Sequence, residues 1–85
     1  MLTKEVTVKS TAGLHARPAT LLVKTATTFK SKIEIEYTGK KINAKTLIGI
    51  LSLGAGPGAK VKLIADGEDE TKAIEDIGKI IENVE

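Results

Sequence analysis

The only histidine and the only arginine of this 85-residue chain stand two positions apart, in the run Gly13-Leu14-His15-Ala16-Arg17-Pro18-Ala19. Imidazole is the side chain that titrates near neutral pH when unperturbed, and guanidinium is the fork best matched to phosphate oxygens. The run lies just ahead of a segment with helical spacing. A helix entrance offers free backbone N–H groups and the positive end of the macrodipole, so the pair makes a cradle for an anion held on or beside a histidine nitrogen. A phosphoryl group fits that cradle best. The same dipoles oppose an imidazolium and favour a neutral, nucleophilic ring. After transfer, the N–H groups of Ala16 and Arg17 would meet the new negative oxygens, and the Arg17 side chain adds a charge-assisted donor. Pro18 contributes no donor, and Gly13 permits a backbone geometry closed to other residues.

Other chemistries find less support. One imidazole with no thiol and no nearby acid leaves a metal's ligand shell unfilled, so no metal is expected. No strand-flanked G-x-S-x-G elbow appears, which argues against a serine hydrolase. Gly54-Ala55-Gly56-Pro57-Gly58-Ala59-Lys60 invites comparison with a phosphate loop. It lacks the Gly-Lys-Ser/Thr ending and runs into a strand, so a turn is the better reading. One Phe, one Tyr and no Trp provide no platform for stacking bases, and one Arg is poor equipment for reading guanine, which sets nucleic acid aside as a partner.

The length predicts one domain, residues 1–85, that buries roughly 60–65% of its unfolded surface and so places its chemistry at the surface. Without cysteine there is no disulfide framework. No apolar run approaches the ~20 residues that cross a bilayer, and the first residues lack a signal-peptide stretch. A cytoplasmic protein with no membrane insertion is expected. Residues 1–65 carry eleven Lys or Arg against three acids, whereas residues 66–85 carry two against eight. Such a basic surface steers acidic protein partners.

The elements that must position the His15 run follow from periodicity. Leu2, Val6 and Val8 alternate with polar residues as a half-buried strand interrupted by Lys4 on the apolar side. From Pro18 onward Ala19, Leu22, Val23 and Ala26 recur at helical spacing. Ile33, Ile35 and Tyr37, a turn at Thr38-Gly39-Lys40, and Lys41–Ala44 read as a hairpin. A short helix spans Leu47 to Leu53 behind Thr46, a residue type that caps helices, and stops at Gly54. Val61, Leu63 and Ala65 mark a fourth strand. A last helix opens with Glu68, Asp69 and Glu70 and carries Ala73, Ile74, Ile77, Ile80, Ile81 and Val84 on one stripe. The order is βαββαβα, an α+β protein whose helices cover one face of a mainly antiparallel sheet. On the middle helix Ile50 and Leu53 share one side while Leu47, Ile48 and Leu51 fan over another. That apolar arc is wider than one sheet contact buries, so part of it is expected at the surface as a docking patch.

Over essentially its whole length the sequence resembles HPr, the histidine-containing phosphocarrier of the bacterial phosphoenolpyruvate-dependent sugar phosphotransferase system. Gly13–Ala19 looks like the family's active-site motif and Lys45–Gly54 like its regulatory-site motif. The resemblance implies an open-faced β-sandwich, a four-stranded antiparallel sheet with three helices on one face. It implies a monomer without cofactor, a carrier and not an enzyme. In that reading His15 is phosphorylated on Nδ1 by phospho-Enzyme I and passes the group to IIA domains of sugar permeases. Arg17 and Ala16 steady the phosphoryl oxygens, and Thr20, Lys24, Leu47, Ile48 and Leu51 form the docking surface. Thr46 falls at the family's regulatory phosphosite, where serine is typical. In Gram-positive relatives an HPr kinase/phosphorylase modifies that serine, and the product binds a catabolite-control transcription factor. Ala12 is a second departure, at a position often polar in relatives. The alternative within the resemblance is a regulatory module serving carbon or nitrogen control in place of sugar uptake.

Overall fold

The computed structural model describes residues 1–9 and 16–83, and of residues 16–18 and 83 the backbone alone. The elements are β1 (Leu2–Thr7), α1 (Ala16–Ala26), β2 (Lys32–Tyr37), β3 (Lys40–Asn43), α2 (Leu47–Ser52), β4 (Lys60–Asp66) and α3 (Glu70–Asn83). All pairings are antiparallel, and the sheet order is β1-β4-β2-β3. This is the four-stranded, helix-covered sheet expected from the order of elements. What periodicity did not dictate is that β4, the last strand made, inserts between β1 and β2.

The register explains which side chains form the core. Val6 faces Val61, Ile33 faces Ala65 and Ile35 faces Leu63, and all six are buried on the helical side of the sheet. Against them pack Ala19, Leu22 and Ala26 of α1, Ile50 of α2, and Ala73, Ile74, Ile77 and Ile81 of α3. Each fully buried Leu, Ile or Val contributes ~1.5–3 kcal/mol relative to exposure. The α3 stripe is as its spacing predicts, with Ile80 only partly buried, while Val84 lies outside the described residues. The α1 helix begins at Ala16, with Pro18 inside its first turn as the spacing predicts. Pro18 then occupies the third helical position, where a missing N–H breaks no bond because first-turn amides have no intrahelical acceptor.

The other face of the sheet is open to solvent and charge-balanced. Register places Glu5, Lys62, Glu36 and Lys41 side by side across all four strands, an alternation of sign that favours neighbouring strands. The next row contains Ile64, which is only 8% exposed despite lying on the open face. Its strand is central, so long polar neighbours can lay their stems over it. Lys4 faces Leu63 on the helical side yet is exposed, because β1 is an edge strand. An inward charge at an edge discourages pairing with another chain.

Two turns use special geometry. Thr38 and Gly39 both have positive φ, 50° and 83°, as a two-residue turn matched to strand twist requires. A β-branched residue is an outlier there. At the opposite end of the sheet, Ser31 is fully buried, and its hydroxyl and backbone N–H both donate to the Asp69 carboxylate. Lys30 N–H donates to the other Asp69 oxygen at 2.9 Å. Gly67 allows this clasp, since a Cβ at that position would lie 2.7 Å from Ser31 Cα. The acidic run predicted a helix opening at Glu68, whereas α3 begins at Glu70, and Asp69 stands just before it with its carboxylate tying the α1–β2 connection to the β4–α3 connection.

Candidate functional site

The helix α1 starts at Ala16, so its first-turn amides, Ala16 and Arg17 among them, have no intrahelical acceptor and follow His15 directly in the chain. His15 itself, with Ala12, Gly13 and Leu14, lies outside the described residues, as does the Arg17 side chain. The approach to the run is fixed on its N-terminal side. Val8 N–H donates to Ala59 O and Gly58 N–H donates to Val8 O, each at 2.8 Å, so the loop between α2 and β4 extends the β1–β4 ladder by a further step. The glycine-rich stretch therefore serves as a turn next to the strand that leads toward His15, in keeping with its sequence.

Helices α1 and α2 pack together on the covered side of the sheet. Thr20 and Lys24 are exposed on α1. On α2, Leu47 is 38% exposed, Ile48 82% and Leu51 39%, while Ile50 is sealed in the core. The division of the apolar arc into a buried and an outward side is the one its width predicted. Sequence reasoning missed Leu21, which is 45% exposed. The signal was available: Leu21 falls outside the stripe of Ala19, Leu22, Val23 and Ala26. Positions 20, 21 and 24 on α1 and 47, 48 and 51 on α2 share one spacing, which puts each trio on a single face of its helix.

Charge reinforces this surface. No Asp or Glu occurs between Val6 and Ile33 or between Tyr37 and Ala65. Lys24, Lys30, Lys40 and Lys45 therefore stand on and around α1 and α2 with no acid in the same segments. The acids are confined to the balanced open face, to Asp66 and to the residues around and within α3.

Thr46 is the N-cap of α2, with extended backbone, and its Oγ1 accepts from Gly49 N–H at 2.8 Å. A Cβ at Gly49 would stand 2.9 Å from the same oxygen, so a larger residue there would have to shift the cap. Among the described residues there is no enclosed cavity, no group of three or more His, Cys, Asp or Glu that could hold a metal ion, and no helix long and apolar enough to cross a membrane. The chemistry available is that of a surface: an anion at the start of α1, and a protein partner across α1 and α2.

Known proteins share this arrangement. A family model described as the PTS HPr component phosphorylation site matches residues 2–83. HPr-C-His from Thermoanaerobacter tengcongensis superposes with a TM-score of 0.92 at 48% identity, over 96% of this chain and 92% of that one. The phosphocarrier protein HPr from Bacillus anthracis gives 0.91 at 39% identity, over 94% and 95%. Crh, a catabolite repression protein of Bacillus subtilis crystallised as a swapped dimer, gives 0.78 at 41% identity over the full length of both chains. The chain belongs to the HPr family of phosphocarrier proteins.

Proposed function

We propose that this chain, as a single domain of residues 1–85 acting as a cytoplasmic monomer, carries a phosphoryl group on His15. Phospho-Enzyme I, charged from phosphoenolpyruvate, is the donor, and IIA domains of sugar permeases are the acceptors. The Nδ1 lone pair forms a bond to phosphorus as the donor's bond to phosphorus breaks, and the reverse exchange occurs at the acceptor. First-turn amides of α1 and the Arg17 guanidinium hold the phosphoryl oxygens, an arrangement favoured at a helix N-terminus. Thr20, Lys24, Leu47, Ile48 and Leu51, with Leu21 beside them, receive the partners. The observation that carries this reading is the start of α1 at Ala16, which puts first-turn amides, lacking intrahelical acceptors, immediately after the histidine. Incubated with phosphoenolpyruvate and Enzyme I, the wild-type protein takes up one phosphoryl group that acid removes, and His15→Ala takes up none. Uptake by the alanine variant would overturn the assignment.

A regulatory module is the second reading, and the full-length likeness to Crh favours it. There Thr46 would carry a phosphate from an HPr kinase/phosphorylase, and the modified protein would bind a catabolite-control transcription factor. A phosphate on Thr46 would place negative charge beside Leu47 and Ile48 and repel an acidic partner. Purified transport components separate the readings: a carrier sustains sugar phosphorylation, and a purely regulatory module does not.

A further inference from the structure

The helix that bears most of the outward apolar surface is poorly equipped to hold itself in place. It has six residues, of which Ile50 alone is buried, and a helix so short does not form in isolation. Its other large apolar side chains, Leu47, Ile48 and Leu51, point to solvent. Two lysines anchor it from outside. Lys40, at the start of β3, donates from Nζ to Ser52 O at 3.0 Å, at the C-terminal end of α2. Lys45, just before the Thr46 cap, donates from Nζ to Phe29 O at 2.9 Å, just beyond the end of α1. Lys40 thus meets a carbonyl at the C-terminal end of α2, where the macrodipole favours positive charge, and Lys45 meets a loop carbonyl three residues past α1.

We propose that Lys40 and Lys45 are positioning residues for partner docking, which fix the two ends of α2 so that Leu47, Ile48 and Leu51 are presented in one arrangement against α1. This rests on the docking surface proposed above and adds what holds it. The choice of acceptor matters. A lysine tied to a carboxylate would neutralise part of the positive field, whereas a lysine tied to a neutral carbonyl keeps its full charge while restraining the backbone. The absence of acids from 37–65 leaves carbonyls as the local acceptors. One pair of side chains thereby both orders the apolar patch and contributes to steering.

Lys40→Met, Lys45→Met and the control Lys24→Met, which removes a cation not used as a tether, separate these roles. In the free protein, amide hydrogen exchange at Gly49, Ile50, Leu53 and Gly54, the donors of the cap and of the α2 turns, is expected to quicken about fivefold in the two tether variants. Amides of β4 exchange as in the wild type, and Lys24→Met leaves α2 unchanged. Lys45→Arg, which keeps charge and donor, restores slow exchange. In phosphoryl transfer from Enzyme I, the tether variants keep a raised KM at about 0.5 M salt, where surface charge is screened. Wild-type exchange at α2 in both tether variants would overturn the proposal, as would transfer defects that vanish at high salt. The exchange measurement involves no partner, so its result stands apart from whether His15 is the phosphoryl acceptor.

Discussion

Ser31 and Asp69 show how much one pair of side chains can decide. The Ser31 hydroxyl, then the Lys30 backbone N–H, draw the Asp69 carboxyl down from its ordinary 3.8 to about 2, since donors favour the charged form. A carboxyl lowered in the folded state lends stability that is present above its unfolded value and disappears as pH falls toward the folded one. Urea unfolding of the wild type should therefore weaken as pH drops from 3.8 toward 2, and Asp69→Asn should be less stable at neutral pH with a flatter acid limb. An unchanged acid limb in that variant would contradict the clasp. Thr38 offers the opposite kind of change. Its φ of 50° suits Asn better than a β-branched side chain, so Thr38→Asn should stabilise the protein by about 1 kcal/mol in urea titration. The turn at Thr38 was legible in the chain, but the clasp between Ser31 and Asp69 was not. Ser31 looks like any loop serine until β4 inserts between β1 and β2 and its connection to α3 arrives beside it.

Among the elements, α1 and α3 were legible because a single apolar stripe of 3.6-residue period has one way to be buried. The first turn of α1 was legible from Pro18, although periodicity alone does not fix its first residue. The α2 helix was legible for a different reason. Its surplus of apolar residues exceeded what one contact could cover, and the surplus is what Leu47, Ile48 and Leu51 expose. Thr46 was recognisable as a cap by residue type alone, and its bond from Gly49 N–H is the expected one. Thr46→Ala should remove it and destabilise the protein by about 1 kcal/mol in urea titration, with Thr46→Ser close to wild type. A loss of similar size in both variants would show that the hydroxyl is not the active part. What the sequence left open about these elements was lateral order, since strand alternation reports which face is buried and not which strand is next.

For the whole molecule, the arrangement of charge is the property that links fold to function. Cross-strand alternation neutralises the open face, the acids gather around α3, and the lysines on and around α1 and α2 have no carboxylate in the same segments. This asymmetry was visible as blocks in the chain, but its sorting onto faces needed the register. Electrostatic steering should make phosphoryl transfer fall steeply as salt rises, and Leu47→Glu should weaken docking about tenfold or more by placing a like charge against acidic partners. Rates independent of ionic strength would count against a charged encounter surface. The His15 run was the clearest chemical signal of all, since it rests on residue types at a helix entrance and not on packing.

The most direct measurement is phosphorus NMR of the protein after incubation with phosphoenolpyruvate and Enzyme I. The account predicts one new resonance of a phosphoimidazole substituted at Nδ1, lost on brief acidification and absent from His15→Ala. A resonance of an acid-stable ester that persists in His15→Ala would contradict it.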